Sequence, residues 1–322
     1  MGNDSRQMTV ADIKSHRPGE QAWGKFVIMD LQKRHTKDGK EICNLRLGDR
    51  TGDIESVIWD GALVTPEYET GKLIGAMGDI GHYNNRPQFI VRRFKILEED
   101  VAPYLPGPSE AIEKLKQRFH ELCQTVQDER LSALLKKVFT PDVEEIFFTM
   151  PGGRKIHHGY RGGLLEHSVS MAELAVLVAE HYPKLNKDVL LTGTLLHDIG
   201  KIKEYEVKVI AQFTPPGKLL GHIVMGTRMV AEKIQELREE GMDFPEELDW
   251  MIQHMLLSHH GEMEYGSPVV PMCPEAYALH MIDNLDAKMF VFLERAESTD
   301  GDDPYFSSYD PIFQQQFFKY RP

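Results

Sequence analysis

The first hundred residues are written in short alternating runs of apolar and polar positions: Ile42, Leu45 and Leu47; Ile54, Val57 and Trp59; Phe89, Val91, Phe94 and Ile96. A period of two puts one face of a strand against a core and the other in water. Thr51-Gly52 and Asn84-Asn85 punctuate these runs. Asp38-Gly39 separates Lys33-Arg34 from the run at 42–47 and reads as a two-residue hairpin turn. The pattern predicts a small β-barrel over residues 1–100. Over 101–109, Pro103, Pro106 and Pro108 deny a helix and predict an extended linker. From residue 110 the period becomes helical, with Ile112, Leu115, Phe119, Leu122 and Val126 recurring at steps of three and four. Further helices are predicted over 163–181, 187–199, 222–240, 246–258 and 274–296. The fold class is therefore multidomain β + α, a barrel followed by an all-α bundle over 110–322.

Composition narrows the function. With 322 residues, 41% hydrophobic and 27% charged, the chain is an ordinary globular protein with room for two cores. A net charge of −13 argues against binding duplex nucleic acid over the whole surface, so any such contact is local. The barrel region is the less acidic part, carrying 15 Lys/Arg against 16 Asp/Glu. Cys43, Cys123 and Cys273 are far apart and form no CxxC pair, which excludes a disulfide framework and a thiolate zinc site. A reducing cytoplasmic location is expected. The N-terminus has no apolar signal region, and no apolar run approaches the roughly 18 residues needed to span a bilayer. No membrane partner is expected. The aromatic and acidic tail beyond Tyr305 is expected to pack on another surface of the same chain or of a second copy, so a homo-oligomer stays in view.

Candidate chemistry is concentrated in the helical region, where ten of the 14 histidines fall between His157 and His280. His167, His197-Asp198, His222, His259-His260 and Asp283 are spread over five predicted helices, and such residues can converge on one bundle interior. Imidazole and carboxylate together suit a first-row divalent metal. Seven groups exceed the needs of one tetrahedral ion, which points to two ions sharing a carboxylate. Adjacent helical residues diverge by about 100°, so His197 and Asp198 serve one centre only if it lies between their directions. Asp286, three residues after Asp283, shares its face and is an alternative ligand. Lys201 lies four residues after His197 and is a candidate phosphate binder. The basic, Gly-rich stretch at 154–163 is a candidate substrate lip, with His158 and Arg161 as its candidate contacts.

The order His, His-Asp, His, His-His, Asp resembles the HD phosphohydrolase superfamily. Leu195-Leu196-His197-Asp198-Ile199-Gly200-Lys201 resembles its signature helix, and Gly163-Leu164-Leu165-Glu166-His167 its first ligand segment. With the barrel included, residues 8–320 resemble the YhaM-type 3′→5′ exoribonucleases, which join an OB fold to an HD domain. The resemblance implies that His167, His197, Asp198 and Asp283 hold one metal and that Asp198 bridges to a second held by His222, His259 and His260. It also implies Mn²⁺, with Fe, Co or Ni as alternatives, and release of nucleoside 5′-monophosphates. Asp198 and Lys201 are the expected catalytic residues.

An OB barrel binds single strands by stacking bases on aromatics along a positive groove. Candidates are Phe26, Trp59, Tyr83 and Phe89, with Lys33, Arg34, Lys37, Arg46 and Arg86. Alternation leaves open which aromatics face outwards. The expected activity is metal-dependent 3′→5′ hydrolysis of single-stranded RNA, with single-stranded DNA as a second partner. Three alternatives remain: a cyclic-dinucleotide phosphodiesterase, a mononucleotide phosphohydrolase and a non-catalytic single-strand-binding protein. The first lacks support, because 261–268 carries neither the Glu after the His pair nor a Gly-Tyr-Pro signature.

Overall fold

The computed structural model describes residues 7–36, 38–83, 86–105, 107–108, 110–153, 159–207, 211–297, 303–310 and 313–319. They divide into two compact units, one of those up to residue 107 together with those from 295 onwards, the other of those in 108–207 and 211–294. The tail from residue 295, which the helical domain was expected to contain, groups with the first unit.

The first unit is a closed barrel of β1 (Gln21–His35), β2 (Glu41–Asp49), β3 (Gly52–Ile58), β4 (Leu73–Tyr83) and β5 (Arg86–Ile96), in the order β1-β2-β3-β5-β4. β1 is long enough to serve two neighbours. Residues 21–27 pair with β4 and residues 27–35 with β2, the register shifting between Ile28 and Asp30. Such a bulge bends a strand round a barrel corner. Parallel pairing of Glu55, Ser56 and Val57 with Gln88, Phe89 and Ile90 closes the sheet on itself. A hairpin joins β1 to β2 at Asp38-Gly39 as expected, but its loop is longer than the expected two residues: the strands stop at His35 and resume at Glu41, and the Thr36 amide donates to the Lys40 carbonyl at 2.9 Å.

Inward positions of the strands bury Phe26, Ile28, Leu47, Ile54, Ile74, Ile80 and Phe89 almost completely, and the Phe26 and Phe89 rings meet edge-on at 5.9 Å. α1 (Val10–Ser15), opened by a Thr9/Asp12 capping box, adds Val10 and Ile13 to this core. At the linker, Ala102–Tyr104 forms one turn of 3₁₀ helix where an extended chain was expected. Two prolines are compatible with this, since Pro103 stands early in the turn and Pro106 beyond it.

The second unit is helical: α2 (Ile112–Gln124), α3 (Glu129–Val138), α4 (Pro141–Phe147), α5 (Gly163–His181), α6 (Lys187–Leu196), α7 (Lys201–Glu204), α8 (Pro215–Glu239), α9 (Glu246–Ser258) and α10 (Pro274–Glu297), the last running on into residues of the first unit. A small hairpin, β6 (Tyr205–Val207) with β7 (Ala211–Phe213), interrupts the expected all-α pattern between α7 and α8. α5 and α6 are apolar on nearly every side and pack against each other, with α2 against α5 and with α3 and α9 against α6. No helix among the described residues is long and apolar enough to cross a membrane.

Candidate metal centre

The ends of α6 and α9 place the central residues. His197 follows Leu196 at the C-terminus of α6, and His259 follows Ser258 at that of α9. At both ends the ring Nδ1 lies 2.7 Å from a backbone carbonyl of the preceding turn, Thr194 for His197 and Leu256 for His259. These carbonyls would otherwise lack helical partners, so the histidines complete the helix ends while their rings turn inward. His260 Nδ1 meets the Tyr265 carbonyl at 2.8 Å. A carbonyl accepts only, so Nδ1 carries the proton and each Nε2 presents a lone pair in the neutral ring.

Two further rings are backed by carboxylates. His167 Nδ1 lies 2.7 Å from Asp286 Oδ2, and Asp286 Oδ1 accepts the Ser170 hydroxyl. His222 Nδ1 lies 3.3 Å from Glu204 Oε1. Imidazoles that ligate metals are characteristically held in this way through their second nitrogen.

Asp198 stands between the rings. Its Oδ2 is 3.2 Å from His197 Nε2 and 4.0 Å from His167 Nε2, and its Oδ1 is 3.3 Å from His222 Nε2 and 3.8 Å from His259 Nε2. Asp283 Oδ1 approaches His167 Nε2 at 3.3 Å. Two groups each bring their donor atoms within 4.8 Å of one another, His167 with His197 and Asp198, and His222 with His259 and His260. Asp198 Oδ1 and the Nε2 atoms of His197, His222 and His259 are buried and make no hydrogen bond. Converging buried lone pairs without a donor are costly unless a cation sits among them. The donor set therefore fits divalent metal of the nitrogen- and oxygen-preferring kind.

The charges agree. Burial penalises the Asp198 carboxylate, but Lys201 and His197 outweigh it and hold its pKa well below the usual range. Burial likewise opposes ionisation of Asp283, and hydrogen bonding to His167 overrides it, so its pKa is also lowered. Burial keeps His259 neutral well below its ordinary pKa and lowers that of His260. For His167, burial works against charge, yet Asp283 and Asp286 lift its pKa to about 9.

The geometry separates two carboxylates that the sequence left open. Both Asp286 oxygens are engaged on the far side of the His167 ring, whereas Asp283 lies on the Nε2 side. Lys201, expected to face a substrate phosphate, is 7% exposed; its ammonium lies 2.5 Å from Asp198 Oδ2 and donates to the Gly152 carbonyl. Its charge is thus taken up by the carboxylate. Arg161 is exposed just ahead of α5, and His158 lies outside the described residues.

Gly200 explains how His222 comes so close. A Cβ there would stand 2.0 Å from the His222 carbonyl and 2.6 Å from the Gly226 amide. Gly200→Ala is therefore expected to push the His222 turn away from Asp198 and to lower stability by about 1–3 kcal/mol. Thermal unfolding of the variant beside wild type measures this.

In the barrel, Phe26 and Phe89 are corrected: both are fully buried core residues and present no stacking face. Trp59 and Tyr83 are 54% and 65% exposed. Lys33 pairs with Glu41 at 2.9 Å, Arg34 donates to Gln32 at 3.0 Å, and Arg46 lies 3.9 Å from Asp53. Exposed pairs of this kind hold weakly. Lys37 and the side chain of Arg86 lie outside the described residues.

A five-stranded barrel of OB type joined to a helical unit with an HD-type histidine and aspartate centre defines a metal-dependent phosphohydrolase of the HD class that carries an additional β-barrel domain. The HD domain profile matches residues 164–288. The 3′-5′ exoribonuclease YhaM of Geobacillus sp. (strain WCH70) is 36% identical over 288 residues, covering 86% of this chain and 85% of that one. That of Bacillus subtilis (strain 168) is 36% identical over 321 residues, covering 94% and 99%. The chain belongs to the YhaM 3′-5′ exoribonuclease family. Among solved structures, the second OB-fold domain of replication protein A from Methanococcus maripaludis covers 30% of this chain and 98% of its own, at 16% identity and a TM-score of 0.24.

Proposed function

We propose that the protein is a divalent-metal-dependent 3′→5′ exoribonuclease that shortens single-stranded RNA and releases nucleoside 5′-monophosphates, with Mn²⁺ as its working ion. The observation that carries this reading is the buried carboxylate of Asp198, whose Oδ2 lies beside His197 of one imidazole group and whose Oδ1 lies beside His222 of the other. His167, His197, Asp198 and Asp283 would hold one cation; Asp198, His222, His259 and His260 would hold the second. When bound by these residues, divalent metal would supply Lewis-acid activation of a phosphodiester and of a water for in-line attack. Lys201 keeps Asp198 ionised and fixed, Asp286 and the carbonyls of Thr194, Leu256 and Tyr265 orient the rings, and burial excludes bulk water from the carboxylates. The free cysteines fit a reducing cytoplasm.

Metal-stripped protein is incubated with 5′-labelled single-stranded RNA, with and without Mn²⁺. The expected result is a ladder shortening from the 3′ end only with Mn²⁺. Intact RNA in both reactions, with the strand retained in a binding gel, would instead mark a binding protein.

The barrel supplies the grip on the strand through Trp59 and Tyr83. Stacking is worth about 1–3 kcal/mol per base. Trp59→Ala and Tyr83→Ala are each expected to weaken RNA binding by about 5- to 150-fold. Fluorescence anisotropy measures the loss, and an unchanged melting temperature separates it from unfolding.

A further inference from the structure

Three of the five inward-facing histidines are held by backbone carbonyls, which every residue offers. The other two are held by side chains, and these divide evenly: Asp286 backs His167 in one group, Glu204 backs His222 in the other. No sequence motif drew attention to Glu204. It ends α7, is 5% exposed, and has one carboxylate oxygen, Oε2, buried without a hydrogen-bond partner.

Glu204 acts on His222 at two points. Its Oε1 accepts the His222 backbone amide at 3.0 Å and stands 3.3 Å from the ring Nδ1. The amide is available because α8 breaks one residue earlier: Gly221 takes φ 72° and ψ 159°, outside helical geometry. His222 therefore opens a new helical segment, whose first amides lack intrahelical partners. A positive φ with an extended ψ is open to glycine and closed to residues with a side chain, which favours glycine at 221. Glu204 is itself pinned. Its amide donates to the Gly200 carbonyl at 3.0 Å, its carbonyl accepts from Thr214 at 2.9 Å, and Gly217 packs so tightly that a Cβ would lie 2.2 Å from that carbonyl. The carboxylate thus fixes main chain and ring together, with Nε2 directed at Asp198 Oδ1.

We propose that Glu204 is a positioning residue for the second cation: by fixing His222 it sets whether the centre holds two cations or one. This rests on the two-cation reading above. Outer partners of ligating histidines are worth about 10–100-fold in metal affinity.

Mn²⁺ binding is measured on the full chain by equilibrium dialysis with elemental analysis, and the bound ions are examined by electron paramagnetic resonance. Wild type is expected to bind two Mn²⁺ with the spectrum of a coupled pair. Glu204→Gln keeps an acceptor for the backbone amide and so keeps the fold, but loses the negative charge behind the ring. It is expected to bind one Mn²⁺ as wild type does, to bind the second about 10-fold more weakly, and to show an isolated-ion spectrum at limiting Mn²⁺. Glu204→Ala is expected to lose more. In a His222→Ala background, where the second ion is already weakened, Glu204→Gln is expected to change nothing further.

Two Mn²⁺ at wild-type affinity in both Glu204 variants would overturn the assignment while leaving the two-cation reading intact. Equal weakening of both ions, or the same loss with and without His222, would overturn it too, because Glu204 would then act through the fold at large. A wild type that binds one Mn²⁺ would overturn the two-cation reading itself. If Glu204→Ala fails to fold, the Gln variant and the His222 background decide the matter.

Discussion

Asp198→Asn is expected to abolish Mn²⁺-dependent shortening of RNA, a loss on the order of 10³-fold or more, since outer partners of a metal ligand alone account for about 10–100-fold. Asp198 faces imidazoles of both groups, His197 through Oδ2 and His222 and His259 through Oδ1, so its replacement removes a donor from each. The same change strikes the fold. Lys201 lies 2.5 Å from Asp198 Oδ2 and is nearly buried, so neutralising its partner leaves an ammonium held by the Gly152 carbonyl. Breaking a buried pair from one side costs about 3–5 kcal/mol. A melting curve of Asp198→Asn should therefore fall well below that of wild type. Adding Lys201→Met removes the stranded charge and is expected to recover much of the melting temperature while the RNA stays intact. Recovery of hydrolysis in the double variant would show that Asp198 serves the fold and leaves the chemistry to other groups.

Phe26→Ala is expected to cost the barrel about 3–5 kcal/mol, the price of truncating a fully buried aromatic. Its ring is wholly enclosed and meets Phe89 edge-on, so the change removes both buried area and an aromatic contact. A domain's whole stability is about 5–15 kcal/mol, which makes this a large share. Urea unfolding should show the early loss, and Trp59→Ala in the same assay should leave the midpoint unmoved. If the two aromatics behaved alike, the division between core and surface rings would be wrong.

The contrast between those rings marks what the sequence could say. Alternation located the strands and the turn at Asp38-Gly39, yet Phe26, Trp59, Tyr83 and Phe89 were equivalent candidates. A strand's two faces are distinguished by which one the barrel encloses, and that depends on closure through β3 and β5, a pairing between segments far apart in sequence. Boundaries of the long helices followed from periodicity. α3 and α4 were passed over, although Asp128 caps the one and Pro141 opens the other. The start of α8 before Gly221 is signalled in the same way, by Thr214 as cap and Pro215 as first residue, whereas the small β6–β7 hairpin is a tertiary outcome.

The centre was legible in its inward-facing residues and not in their supports. His167, His197, Asp198, His222, His259, His260 and Asp283 are chemically conspicuous, and the structure brings them together. Their backing groups are ordinary carbonyls, Ser170 and Glu204, which nothing in the spacing distinguishes from surface residues, and Asp286, which the spacing offered as a ligand and not as a support. Lys201 shows the same limit. Its helical offset from His197 placed it near the centre, but only the folded chain shows that it pairs with Asp198.

The long first strand has a bearing on how the barrel comes apart. Because β1 gives residues 21–27 to β4 and 27–35 to β2, the two ladders meet only at Val27, and each can open without breaking the hydrogen bonds of the other. Amide protons of β2 beside residues 27–35 and of β4 beside residues 21–27 are therefore expected to exchange with solvent at separate rates.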